Sequence, residues 1–78
     1  MTTISRFILD RQDGTYSPGM SYSNEDGGHG WKVNEKPWTK EEATKMANSM
    51  ARKEQRRIQK LGYSAIVKPL ATLTAVFR

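Results

Sequence analysis

The chain contains no cysteine, so disulfides, thiol catalysis and cysteine-ligated metal are excluded, and a reducing compartment such as the cytoplasm suits it. It has one histidine, His29, which leaves no pair of imidazoles for a zinc site. Apolar residues make up only 36%, and no apolar run approaches the roughly 18 residues that a membrane-spanning helix needs. Met1 to Asp10 lacks both a basic start and a long apolar stretch, so it does not read as a signal peptide. Neither GxxxxGK[ST] nor a strand-attached GxGxxG occurs, which leaves no phosphate-cradling loop.

What remains fits one small domain. At 78 residues the core is thin, and nearly every large apolar side chain is needed for stability rather than for lining a substrate pocket. No pair of carboxylates stands beside an apolar stretch that would split their pKa values, so no catalytic residue, metal ligand or cofactor site is expected. Glu25, Asp26 and His29 could meet a metal only transiently, held as they are among Gly27, Gly28 and Gly30.

Charge is unevenly placed. Residues 1–38 carry Arg6, Arg11, Lys32 and Lys36 against Asp10, Asp13, Glu25, Asp26 and Glu35. Residues 39–61 carry Lys40, Lys45, Arg52, Lys53, Arg56, Arg57 and Lys60 against Glu41, Glu42 and Glu54, and hold most of the net charge of +5.

Local patterns give an order of elements. Thr3 to Leu9 is rich in β-branched and aromatic residues and precedes an Asp13-Gly14 turn signal, which predicts a strand and a turn. Ser17 to Gly30, with four of the six glycines and Pro18, reads as a mobile surface loop that orders on a partner, flanked by Tyr16 and Tyr22 as exposed anchors. Trp31-Lys32-Val33 reads as a short strand pairing with the first, and Trp31 and Trp38 as core or helix-start packing. Thr39 and Glu42 form a capping-box pair, so a helix is predicted from there to Leu61, with Gly62 as its stop. Helical spacing puts Ala43, Met46, Ala47, Met50, Ala51, Ile58 and Leu61 on one face, with Glu54 near its centre. Lys45, Arg52, Arg56 and Lys60 fall opposite, with Lys53 at their edge. Tyr63 to Val67 reads as a strand, Lys68-Pro69 as a break, and Thr72 to Phe77 as a last strand. The expected fold is α+β in the order β-β-α-β-β, with three or four mostly antiparallel strands and the helix across one face.

The run WTKEEA at 38–43 followed by GYSAIVKP at 62–69 resembles a layout common in small phage-encoded accessory proteins. There a strand leads to a helix opening on Ser/Thr-x-Glu-Glu-Ala, then to a Gly-Tyr turn and a strand ending near proline. The resemblance spans residues 31–69, about half the chain. It implies a protein that occupies a surface of host machinery such as a polymerase or a CRISPR effector complex, and it transfers no site residue. The same layout is similar to one half of peptidoglycan-binding SPOR domains, whose aromatic-rich first-strand phrase this chain lacks.

Five of nine residues in RKEQRRIQK at 52–60 are basic. A face of this kind tracks an acidic protein surface or a phosphate backbone, or else is only a solvated helix end that complements the dipole. Lys45, Arg52, Lys53, Arg56 and Lys60, with Tyr16 and Tyr22, are the candidate binding residues. A protein partner with an acidic surface is the expected ligand and nucleic acid the alternative.

Overall fold

The structure, a computed structural model, describes residues 1–74. Five strands and one helix follow in the order β1 (Thr2–Asp10), β2 (Tyr16–Asn24), β3 (His29–Val33), α1 (Lys40–Lys60), β4 (Ala65–Val67) and β5 (Ala71–Thr74). All five strands belong to one sheet. β1, β2 and β3 form an antiparallel meander, with Ile4 opposite Tyr22 and Tyr22 opposite Gly30. After α1 the chain returns on the far side of β1, where β4 pairs in parallel with Thr2–Ile4 and β5 with Phe7–Asp10. The expected α+β class, the mostly antiparallel sheet and the single helix are all present, with one strand more than expected.

That extra strand corrects the reading of 17–30 as a loop. Residues 16–24 run as β2 along the whole of β1, and only the turn between Asn24 and His29 is irregular. It also corrects the partner of 31–33, which pairs with β2 and not with the first strand. Pro18 fits a strand here because its carbonyl accepts from Asn34 at 2.9 Å. Its ring nitrogen therefore faces the linker beyond β3, where no ladder bond to β1 is lost. Two glycines serve close approach. A Cβ on Gly19 would lie 2.6 Å from Cζ of Phe7, and one on Gly30 would lie 2.7 Å from Cε1 of Tyr22. Both aromatic rings lie across neighbouring backbone.

The helix begins and ends where its caps dictate. The Glu42 N–H donates to the Thr39 hydroxyl oxygen at 3.1 Å, and the Thr39 N–H reaches Glu42 Oε1 at 3.4 Å. Leu61 is the C-cap and Gly62 follows with φ +90. Leu61 was expected on the apolar face, but its place at the cap leaves it 62% exposed.

Even-numbered residues of β1 and β2 face the helix. Ile4, Met20, Ala51, Ile58 and Ala65 make one cluster, and Ile8, Ala43 and Ala47 another. Ile4 and Ile8 are fully buried, each contributing about 1.5–3 kcal/mol. Between the clusters Arg6 donates through Nη1 to Asn48 Oδ1 at 2.7 Å, and through Nε to the Lys68 carbonyl at 3.1 Å. One side chain thus ties the helix to the break between β4 and β5. The part of the expected last strand at 75–77 lies outside the described residues.

Candidate binding face on the helix

The side of α1 turned from the sheet is formed by the periodicity that buries Ala43, Ala47 and Ala51. With about 100° per residue, those three alanines fix the inward direction, so Lys45, Ser49, Arg52 and Arg56 must point outward. Lys45, Arg52, Lys53, Arg56 and Lys60 are all exposed. Four of them, Lys45, Arg52, Lys53 and Arg56, line a shallow depression of about 320 Å³ together with Asn48 and Ser49. Lys60 lies beyond it, toward the helix end.

Sequence reasoning missed Asn48 and Ser49. Helical spacing places both beside the cations, and the part of Asn48 depends on Arg6. Because Arg6 engages Asn48 Oδ1, the amide nitrogen of Asn48 is left as the donor. The depression therefore offers four cations and two polar side chains that can donate hydrogen bonds.

Among the described residues, none of the five cations lies within ion-pair distance of a carboxylate. Helix-dipole complementation accounts for Arg57 and Lys60, which stand in the last turn, but not for Lys45, Arg52 or Lys53 farther back. Like charges at i and i+4, Arg52 with Arg56 and Arg56 with Lys60, oppose the helix by about 0.2–0.5 kcal/mol per pair.

Glu54 is the one acidic residue of this helix beyond its first turn and it points the other way, with a side chain 12% exposed. Arg57 Nε donates to Glu54 Oε1 at 3.1 Å, and Arg57 Nη2 engages the same oxygen. That hydrogen bonding holds the Glu54 carboxyl below its usual range, and burial opposes the shift. Arg57, in turn, is raised.

The structure does not bring Tyr16 and Tyr22 to the basic face. Both project from β2 beneath the helix and are half-buried, Tyr16 against the cluster of Ile8 and Ala47 and Tyr22 against that of Ile4 and Met20. They are core side chains, not exposed anchors. Trp38 packs beside Tyr16 as expected, while Trp31 is 70% exposed and is not core. His29 is exposed at the start of β3, its Nδ1 3.4 Å from the Gly27 carbonyl oxygen. Among the described residues, no group of three or more His, Asp or Glu side chains could hold a metal ion, and no helix is long and apolar enough to cross a membrane.

A second depression, of about 500 Å³, lies where the helix end meets the start of β1 and the β2–β3 turn. Its lining mixes Arg57 with Glu25 and Asp26, so no one sign of charge prevails. Set against protein-family models, curated proteins and solved structures, the chain matches none of them.

Proposed function

We propose that this chain is a small non-enzymatic binding protein, phage-derived in build, that seats the basic face of α1 on an acidic surface of a host nucleic-acid-handling protein and modulates or inhibits it in the cytoplasm. One observation carries the reading: Lys45, Arg52, Lys53 and Arg56 surround one depression with no carboxylate among them from the described residues. A folded chain that needed these charges only for solubility gains nothing by gathering them at repelling positions. Electrostatic complementarity with an anionic surface, by contrast, speeds encounter and fixes orientation.

The test is a triple reversal, Arg52→Glu, Arg56→Glu and Lys60→Glu. All three side chains are exposed, so the melting temperature should stay nearly unchanged while binding to the anionic partner is abolished. Pull-down from the host with nuclease treatment identifies the partner. A variant that keeps every interaction of the parent shows that the basic face is only solvated.

Direct nucleic-acid binding is the second reading, favoured by Asn48 and Ser49 among the cations, since amide and hydroxyl donors also suit phosphate oxygens. Against it, no aromatic side chain among the described residues lines that depression for base stacking. Capture that disappears on nuclease treatment would select it.

A further inference from the structure

β3 is an edge of the sheet, and the parity of its ladder decides which of its backbone groups stay open. The Asn34 N–H donates to the Pro18 carbonyl at 2.9 Å and the Asn24 N–H to the Gly28 carbonyl at 2.7 Å. The hydrogen-bonded pairs with β2 therefore fall on even-numbered residues, Gly28, Gly30, Lys32 and Asn34. The N–H and C=O groups of His29, Trp31 and Val33 point away from β2, and they find no partner among the described residues. The usual guards of an edge are missing. β3 holds no proline and no bulge, its one formal charge is Lys32, and its central side chain, Trp31, is 70% exposed. The opposite edge is guarded, because residues 68–70, with Pro69, interrupt it between β4 and β5.

We propose that β3 pairs antiparallel with β3 of a second copy of the chain, joining two sheets edge to edge. Hydrogen-bond geometry selects that occupant and its register. With Trp31 opposite the partner's Trp31, His29 faces the partner's Val33 and Val33 the partner's His29, and each pair exchanges two hydrogen bonds. Every open group of both strands is then used. A slip by two residues in either direction leaves one of these pairs unmade, and a slip by one sets open groups against closed ones.

The side chains agree with that register. The two indoles meet on the two-fold axis as a cross-strand aromatic pair, and Lys32 stands opposite the partner's Gly30, so no like charges face each other within the strands. Lys36, whose carbonyl accepts from the Ser17 hydroxyl at 3.4 Å and so stays alongside β2, comes level with the turn that carries the partner's Glu25 and the partner's Asp26. Opposite charges thus meet at both ends of the contact. The axis stands perpendicular to the sheet, so both helices lie on one side of it. Because α1 packs over β1, β2 and β4, each helix lies roughly 12 Å from the axis at about 4.8 Å per strand. The helices are then roughly 24 Å apart, beyond the Debye length of about 8 Å in physiological salt, and their cations can coexist. A five-residue strand pair is roughly 17 Å long and buries far less than the roughly 1,200 Å² of a stable interface, so this dimer is weak and reversible.

Sedimentation equilibrium of the full chain from about 10 µM to 1 mM, with NMR of mixed isotope-labelled and unlabelled chains at the upper end, tests this. Mass should rise from monomer toward dimer across the series. The mixed sample should show contact between Hα of Gly30 and Hα of the partner's Lys32, the closest backbone approach in this register. Val33→Pro removes an N–H that β2 does not use, so the monomer should keep its fold while the dimer is lost. Trp31→Thr keeps the backbone and a strand-forming side chain; it should weaken the dimer about two- to fivefold through loss of the indole pair, and it serves if the proline variant fails to fold. A parent that stays monomeric up to about 1 mM overturns the proposal, and so does a dimer that lacks the contact between Gly30 and the partner's Lys32 or that forms equally well in folded Val33→Pro. A monomer that instead binds an unrelated extended peptide along Trp31 overturns it too, and gives the edge to a foreign strand.

Discussion

Glu54 and Arg57 make a pair whose members are unequally placed: the carboxylate is 12% exposed and the guanidinium 60%. Removing either one has a different consequence. Glu54→Leu leaves an arginine in water and puts an apolar side chain against the sheet, so the fold should persist with an unchanged or higher melting temperature. Arg57→Ala leaves a largely buried carboxylate without its donor and should cost about 1–3 kcal/mol by thermal or denaturant unfolding. A large loss in the leucine variant would mean that Glu54 anchors more than Arg57. The depressed pKa of Glu54 fixes the pH dependence. The pair's stabilisation is present above the ordinary glutamate value of about 4.3 and is lost as pH falls through the lower folded value. Asp13, depressed by the hydroxyl and backbone N–H of Thr15, acts in the same direction. Melting temperature should therefore decline on acidification below about pH 4.5, and less steeply in Glu54→Gln.

At the scale of elements, β2 is where reading the sequence and observing the fold part company. Glycine, proline and serine between residues 17 and 30 suggested a loop by composition, yet Pro18, Met20 and Tyr22 alternate with Ser17, Gly19, Ser21 and Ser23 at the period of a strand. The glycines that looked like punctuation make room for rings: Gly19 lies under Phe7 and Gly30 under Tyr22. Neither contact is visible without the pairing, because each joins residues on different strands. Amide exchange checks the corrected assignment. Within residues 16–24, amides that bond to β1 should exchange slowly, and fast exchange should be confined to the turns around Gln12–Gly14 and Glu25–Gly28. Uniformly fast exchange from Ser17 to Gly30 would restore the loop. The helix, by contrast, was legible to within a residue at each end, because its boundaries depend on side chains and a glycine within one turn of each terminus. The basic stripe was equally legible, since 100° per residue is enough to separate Arg52 and Arg56 from Ala47 and Ala51. The donor role of Asn48 was not legible, because it depends on Arg6, 42 residues away in sequence, claiming the amide oxygen.

For the whole molecule, the two layers separate two kinds of surface. One layer presents cations on α1, the other a sheet face with Trp31, Ile66 and Leu73 exposed. Sequence periodicity exposed the first, because its residues lie within one helix. The second draws on Trp31, Ile66 and Leu73 of three different strands, so it came into view only with the sheet order, and with it the reason that Trp31 is not core. The helix face should answer to salt. Raising ionic strength from about 0.01 M to 1 M shortens the Debye length from roughly 30 Å to 3 Å. Attraction between the helix face and an anionic partner is screened, so its association should slow and its affinity fall steeply. Partner binding measured across such a salt series checks this. If partner binding were indifferent to salt, the basic face would not be its seat.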